Sequence, residues 1–140
     1  NNAGTPILAL ADFPVHLPTP AEVLAGSTRM GAGTAQKIAL NMMSTLMAMQ
    51  LGHVHDGLMV NLRADNAKLK RRSQAIVAAV SGCSEEEAAI HLDLAGGAVK
   101  SAILLARGAR DRLQAESLLE RTGHMLRPAL SEIDRAANTA

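Results

Sequence analysis

The sequence predicts a mainly α-helical chain carrying at most one or two short strands. Three observations predict it. The composition is 48% hydrophobic but holds one Phe and no Tyr or Trp, so any core is built from Ala, Leu, Ile, Val and Met, mostly good helix formers. Apolar residues recur at helical spacing in windows that end at Gly52, Gly82, Gly96, Gly108 and Gly123. Several windows open on a capping residue, most clearly Ser84-Glu85-Glu86-Glu87.

Length and charge narrow the field further. One hundred and forty residues suit one domain or a little more, and a net charge of +1 offers no global attraction to nucleic acid or an anionic membrane. The single cysteine, Cys83, has no intrachain partner for a disulfide. The apolar run Ile38 to Leu51 contains Asn41, Ser44, Thr45 and Gln50 and is too short to span a bilayer. No basic region followed by an apolar stretch opens the chain, so no signal peptide is read there. The chain starts at Asn1 rather than Met, which reads as a fragment or a processed product.

Taken in order, Asn1 to Pro6 reads as a loop and Ile7 to Ala11 as a short helical turn. Phe13 to Leu17 reads as a short edge strand bounded by prolines, with His16 an ordinary strand residue. Pro18 to Ala32 is a loop, and a long helix runs from Gly33 or Thr34 to Leu51 before Gly52 stops it. Ile38, Met42, Met43, Leu46, Met47, Met49 and Leu51 cover most of that helix, which predicts that it is largely buried. Its polar stripe, Lys37, Asn41, Ser44 and Thr45, faces either solvent and neighbouring backbone or a ligand pocket. His53 and His55 have a spacing seen in metal sites but lack a third ligand nearby, so no metal is expected. Asp56-Gly57 is a turn, and Leu58 to Leu62 is either extended or the lead-in to a helix.

Asp65 or Asn66 caps the next helix, which ends at Gly82 and turns Leu69, Ile76, Val77 and Val80 inward. Lys68, Lys70, Arg71 and Arg72 form its solvated face. They make a poor nucleic-acid site, being few and without an aromatic to stack on a base. A helix from Ser84 to about Ala95 follows, its three glutamates explained by the helix dipole. Further helices span Ala98 to Arg107, Asp111 to Thr122, and Met125 to about Arg135, with Asn138 to Ala140 expected to fray. A shift of 27 residues superposes Ala88, Leu92, Gly96 and Ala102 on Ala115, Leu119, Gly123 and Ala129, so a helix–glycine–helix unit is used twice. The expected organisation is 1–62, a connecting helix over 63–82, and a helical tail over 83–135.

The stretch with chemistry in it is Glu22 to Lys37, EVLAGSTRMGAGTAQK. Gly26, Gly31 and Gly33 permit positive φ and close backbone approach. Ser27, Thr28 and Thr34 offer hydroxyls, one of which is expected to cap the following helix. A helix N-terminus attracts anions, and Arg29 and Lys37 add positive charge, so the mixture suits a phosphorylated polyhydroxyl ligand.

This run resembles the signature of the N-acetylmuramic acid 6-phosphate etherases and their relatives, the glucokinase regulatory proteins, whose usual form is P-E-x-L-T-G-S-T-R-(L/M)-K-A-G-T-A-Q-K. Ala21, Ala25 and Gly31 stand where that form has proline, threonine and lysine. The segment GLMVNLRADNAKL resembles a second family motif, N-L-M-V-D-x-x-x-T-N-x-K-L, with Asn66 and Lys68 matching its Asn-x-Lys and Asn61 and Asp65 departing from it.

The resemblance covers about residues 1 to 130 and corresponds to the C-terminal half of the family's chain. It implies the end of an α/β sugar-isomerase domain followed by a small helical domain similar to ubiquitin-associated modules, there for domain packing or dimer contact rather than ubiquitin binding. It implies a cytoplasmic lyase of peptidoglycan recycling, which cleaves the D-lactyl ether of N-acetylmuramic acid 6-phosphate to N-acetylglucosamine 6-phosphate and D-lactate without a cofactor. It implies a homodimer, and a sugar-phosphate site to which Glu22, Gly26, Ser27, Thr28, Arg29, Asn66 and Lys68 contribute, Glu22 through a sugar hydroxyl.

The family's catalytic glutamates lie upstream of anything here, so no catalytic residue is expected in this chain, and the fragment alone is expected to be inactive and to self-associate through apolar surface. The alternatives are a non-enzymatic sugar-phosphate-responsive regulator and a stand-alone helical interaction module.

Overall fold

The structure, a computed structural model, describes residues 1–63 and 65–138. Seven α-helices and two short strands occur among them: α1 (Pro6–Leu10), α2 (Thr34–Gln50), β1 (Val54–His55), β2 (Leu58–Met59), α3 (Ala67–Ser81), α4 (Glu85–Leu94), α5 (Val99–Ala106), α6 (Arg112–Arg121) and α7 (Leu126–Ala137). A π-helical turn, Arg29–Gly33, runs directly into α2. No helix among the described residues is long and apolar enough to cross a membrane. Of the expected frayed end, Thr139 and Ala140 lie outside the described residues, and Asn138 follows the last helical residue, Ala137. The chain divides into two compact units, Asn1–Met47 and Ala48–Ala140.

The first unit holds α1, the loop and most of α2. Pro6 sits in the first turn of α1, where its missing N–H is not needed. The strand expected over Phe13 to Leu17 does not form. Phe13 lies in a bend, Pro14 to Leu17 have no regular secondary structure and pair with no strand among the described residues, and the side chain of Asn1 donates to the Leu17 carbonyl at 2.6 Å. A strand exists only with a partner backbone, and Pro14 removes one of the few donors this segment has. His16 is therefore not a strand residue; its Nε2 lies 3.1 Å from the Asn1 carbonyl oxygen.

The expected burial of α2 is also overturned. None of its residues is buried, with Ile38 54% and Met43 55% exposed. Its apolar residues ring the helix, so burial needs neighbours on several sides, and no described element packs broadly against it. The polar stripe is exposed as well, and the Ser44 hydroxyl donates to the Asn41 carbonyl.

The second unit contains the core. β1 and β2 form an antiparallel hairpin pairing Val54 with Met59 and His55 with Leu58. Asp56 and Gly57 both take positive φ, as a two-residue turn of this hand demands. Leu58 onward is thus extended rather than a helix lead-in, and Val60 is buried behind it. α3 is capped by Asn66, whose Oδ1 accepts from the Leu69 amide at 2.9 Å, and stops at Gly82 with φ 80°. α4 opens on a full capping box: Ser84 Oγ accepts from the Glu87 amide while the Glu87 carboxylate accepts from the Ser84 amide. Those bonds hold the exposed Glu87 carboxyl below its ordinary value. α6 is capped by Asp111 through the Gln114 amide.

α5 runs through the middle of this unit and is buried from Val99 to Leu104 on every side. Helices α3, α4, α6 and α7 pack around it. The residues matched by the 27-residue shift have matching burial. Ala88 and Ala115 are both fully buried, as are Ala102 and Ala129, and Val99 with Leu126, Leu92 with Leu119, and Ile103 with Leu130 are buried pairs. The alanines let the helices approach closely, while Ile103, Leu104, Val60, Val77 and Val99 each contribute about 1.5–3 kcal/mol of burial.

Candidate functional site

The loop that carries the sequence signal begins at Glu22 and ends in the π-helical turn. Both carboxylate oxygens of Glu22 accept from the Gly31 amide, at 3.0 and 3.1 Å, and Oε1 also accepts from the Ala32 amide at 3.2 Å. The turn closes on itself through the Gly33 amide, which donates to the Thr28 carbonyl at 2.7 Å. Gly26 has φ 80°, whereas Gly31 and Gly33 lie within the turn and need smallness rather than a positive φ. A Cβ on Gly33 would stand 3.1 Å from the Thr28 carbonyl oxygen.

Of Ser27, Thr28 and Thr34, one of which was expected to cap the helix, Thr28 precedes the turn and makes no side-chain cap bond. Ser27 Oγ accepts from the Arg29 amide at a long 3.4 Å, and the Thr34 hydroxyl donates back to the Arg29 carbonyl at the same distance. The principal acceptor for the turn's amides is instead a carboxylate nine residues earlier. Thr28 and Arg29 are exposed and Ser27 is half-buried, so two hydroxyls and a guanidinium border one short loop. Such a set can meet the oxygens of a phosphate and a sugar hydroxyl.

The structure does not gather all the sequence-derived residues in one unit. Glu22, Gly26, Ser27, Thr28 and Arg29 belong to the first, and Asn66 and Lys68 to the second. Asn66 already serves as the α3 cap, and Lys68 is exposed one residue into that helix. Lys37, at the start of the α2 polar stripe, is exposed too. His55 is buried in β1 with Nε2 3.5 Å from the Asp56 carboxylate, which also accepts from Arg127 of α7. No group of three or more His, Cys, Asp or Glu side chains is placed to hold a metal ion among the described residues.

Sequence reasoning missed Lys100. It is 8% exposed, and its ammonium donates to the Gly52 carbonyl at 3.3 Å and the His124 carbonyl at 3.0 Å. One buried cation thus ties the stop of α2 to the α6–α7 turn. Burial alone pushes this ammonium below the ordinary lysine value. The signal was a single charge inside the mostly apolar helix VKSAILLA. A cleft of about 360 Å³ beside it is bordered by Asn61, Arg63, Ser101, Arg112 and Glu116, but Arg112 and Glu116 neutralise each other at 2.6 Å.

The geometry defines a class: a helical chain whose glycine- and hydroxyl-rich loop, fastened by an internal carboxylate, feeds a long helix. The comparisons with known proteins give that class a narrower address. No family model matches the chain. Curated N-acetylmuramic acid 6-phosphate etherases match it along nearly its whole length. The protein of Deinococcus radiodurans is 40% identical over 140 residues, all of this chain and 46% of the relative. That of Streptomyces avermitilis is 43% identical over 134 residues, 96% of this chain and 43% of the relative. That of Rubrobacter xylanophilus is 45% identical over 133 residues, 91% of this chain and 44% of the relative. The resemblance carried by EVLAGSTRMGAGTAQK therefore extends through the chain, which spans less than half the length of these relatives.

Proposed function

We propose that this chain is the C-terminal portion of an N-acetylmuramic acid 6-phosphate etherase, and that it contributes the signature loop to the binding site for a phosphorylated amino sugar. The supporting observation is the ordered match over Glu22 to Lys37, together with whole-chain identities of 40–45% to etherases. In this reading Ser27, Thr28 and Arg29 face the ligand, and Gly26 lets the backbone turn toward it. The reaction breaks the ether between C3 of the sugar and D-lactate by elimination, and water then adds to give N-acetylglucosamine 6-phosphate. A carboxylate must remove a proton and an acid must protonate the leaving oxygen. Both groups come from outside this chain, so the chain alone is inactive.

The exposed apolar ring of α2 is consistent with this reading. In the complete etherase it packs into the sugar-isomerase domain, and in isolation it drives self-association. The working enzyme is a cytoplasmic homo-oligomer with no cofactor.

The test starts at the source gene. The reading frame upstream of the Asn1 codon is sequenced, the extended protein is made, and D-lactate release from N-acetylmuramic acid 6-phosphate is measured. Release that falls in a Ser27→Ala, Arg29→Ala double variant supports the proposal. Sugar-phosphate binding without release makes the protein a regulator. A start codon close to Asn1, with no α/β extension, leaves a helical interaction module.

A further inference from the structure

We infer that Glu22 is a positioning residue: its carboxylate is a built-in anion that staples the π-helical turn and so fixes the loop Gly26–Arg29. It is not a sugar-hydroxyl ligand. The inference rests on the proposed function only in taking that loop to face a ligand.

The first amides of a helix have no intrahelical acceptor, and the positive end of the helix dipole lies among them. Here the Gly31 and Ala32 amides are in that position. Glu22 supplies both with an ionised acceptor, in a charge-assisted geometry of 3.0 to 3.2 Å. The fit is close on the other side as well. A Cβ on Gly31 would lie 3.3 Å from Oε1 and 3.6 Å from the carboxyl carbon, so a bare glycine lets the carboxylate sit flat against the turn.

Two consequences follow. A ligand phosphate cannot take the Gly31 and Ala32 amides while Glu22 holds them, so it meets Ser27, Thr28 and Arg29. Removing the carboxylate also leaves an open amide nest that a small anion can fill.

The experiment is water-exchange NMR on the 140-residue chain without sugar phosphate, comparing the wild type with Glu22→Ala and Glu22→Gln. In Glu22→Ala, exchange at Gly31 and Ala32 should rise about tenfold or more, as expected for losing a bond to a charged acceptor. Glu22→Gln keeps a neutral acceptor of the same shape and should rise less. Added acetate should slow exchange again in Glu22→Ala but leave the wild type unchanged. Amides of α2, most of which lies in the same unit as Glu22, report that the variants are folded. Unchanged exchange at Gly31 and Ala32 in folded Glu22→Ala, or no slowing by acetate, overturns the inference. A titration of the upstream-extended protein with N-acetylglucosamine 6-phosphate is read separately. Failure of that wild-type protein to bind, with the exchange pattern of the 140-residue chain intact, sinks the functional reading and leaves the staple standing.

Discussion

Replacing Gly52 by alanine should destabilise the second unit far more than the same change at Gly82. Both glycines follow a helix with a left-handed backbone, φ 69° and 80°. A Cβ in that conformation costs roughly 1–2 kcal/mol, offset by about 0.4–1 kcal/mol from the stiffer unfolded chain. Nothing lies within 4 Å of a Cβ on Gly82, so its variant should lose only the net, about 1 kcal/mol. A Cβ on Gly52 would stand 2.5 Å from the His124 carbonyl oxygen and 3.0 Å from its carbon and from Met125 Sδ. That oxygen is also held by Lys100, so it cannot retreat without lengthening a buried hydrogen bond. Overpacking of this kind adds about 1–3 kcal/mol, bringing the Gly52 variant to roughly 2–4 kcal/mol. In a unit of this size each kcal/mol moves the melting temperature by about 4–8 °C. Thermal unfolding by far-ultraviolet circular dichroism should therefore separate the two variants by about 5 °C or more. Equal losses would refute the contact between the α2 stop and the α6–α7 turn.

Four further outcomes are expected. Ile103→Ala, at a fully buried position, should cost about 2–5 kcal/mol in urea unfolding. Arg127→Ala removes an exposed ion pair to Asp56 and should cost less than about 1 kcal/mol by the same assay. Asp111 has its carboxyl lowered first by the Gln114 amide and then by Arg110. Its contribution is therefore present above the ordinary carboxylate value and lost as pH falls through the folded value, so Asp111→Asn should flatten the acid limb of a stability–pH curve. Burial lowers the Lys100 ammonium. Between that lowered value and the ordinary one the unfolded chain binds more protons, so wild-type stability should rise with pH relative to Lys100→Met when urea midpoints are compared across the alkaline range.

The helices of the second unit were legible because their boundaries are written in local chemistry. Asn66, Ser84 with Glu87, and Asp111 each cap the helix they precede, and Gly82 ends one. The repeat was legible because alanine and leucine at matched spacing meet one central helix. The strand at Phe13 to Leu17 was misread because alternation describes a segment, while pairing depends on a second one. The burial of α2 was misread for a related reason: apolar residues show which faces seek cover, not what covers them. In the candidate site, Ser27, Thr28 and Arg29 were visible as types. The grip of Glu22 on amides nine and ten residues ahead was not, because no spacing rule links a loop carboxylate to a turn that distant. Lys100 was hidden similarly, since its two carbonyl partners lie 48 and 24 residues away.

The aliphatic make-up of the second unit has an optical consequence. The chain contains no Trp or Tyr, and its one Phe, Phe13, is 90% exposed in the other unit. The core around α5 is therefore silent in tryptophan and tyrosine fluorescence and in near-ultraviolet dichroism, and no phenyl, phenol or indole ring spreads its methyl resonances. A single tryptophan placed in that unit and excited at its red edge, where Phe13 does not absorb, would report on the helices around α5 against a dark background.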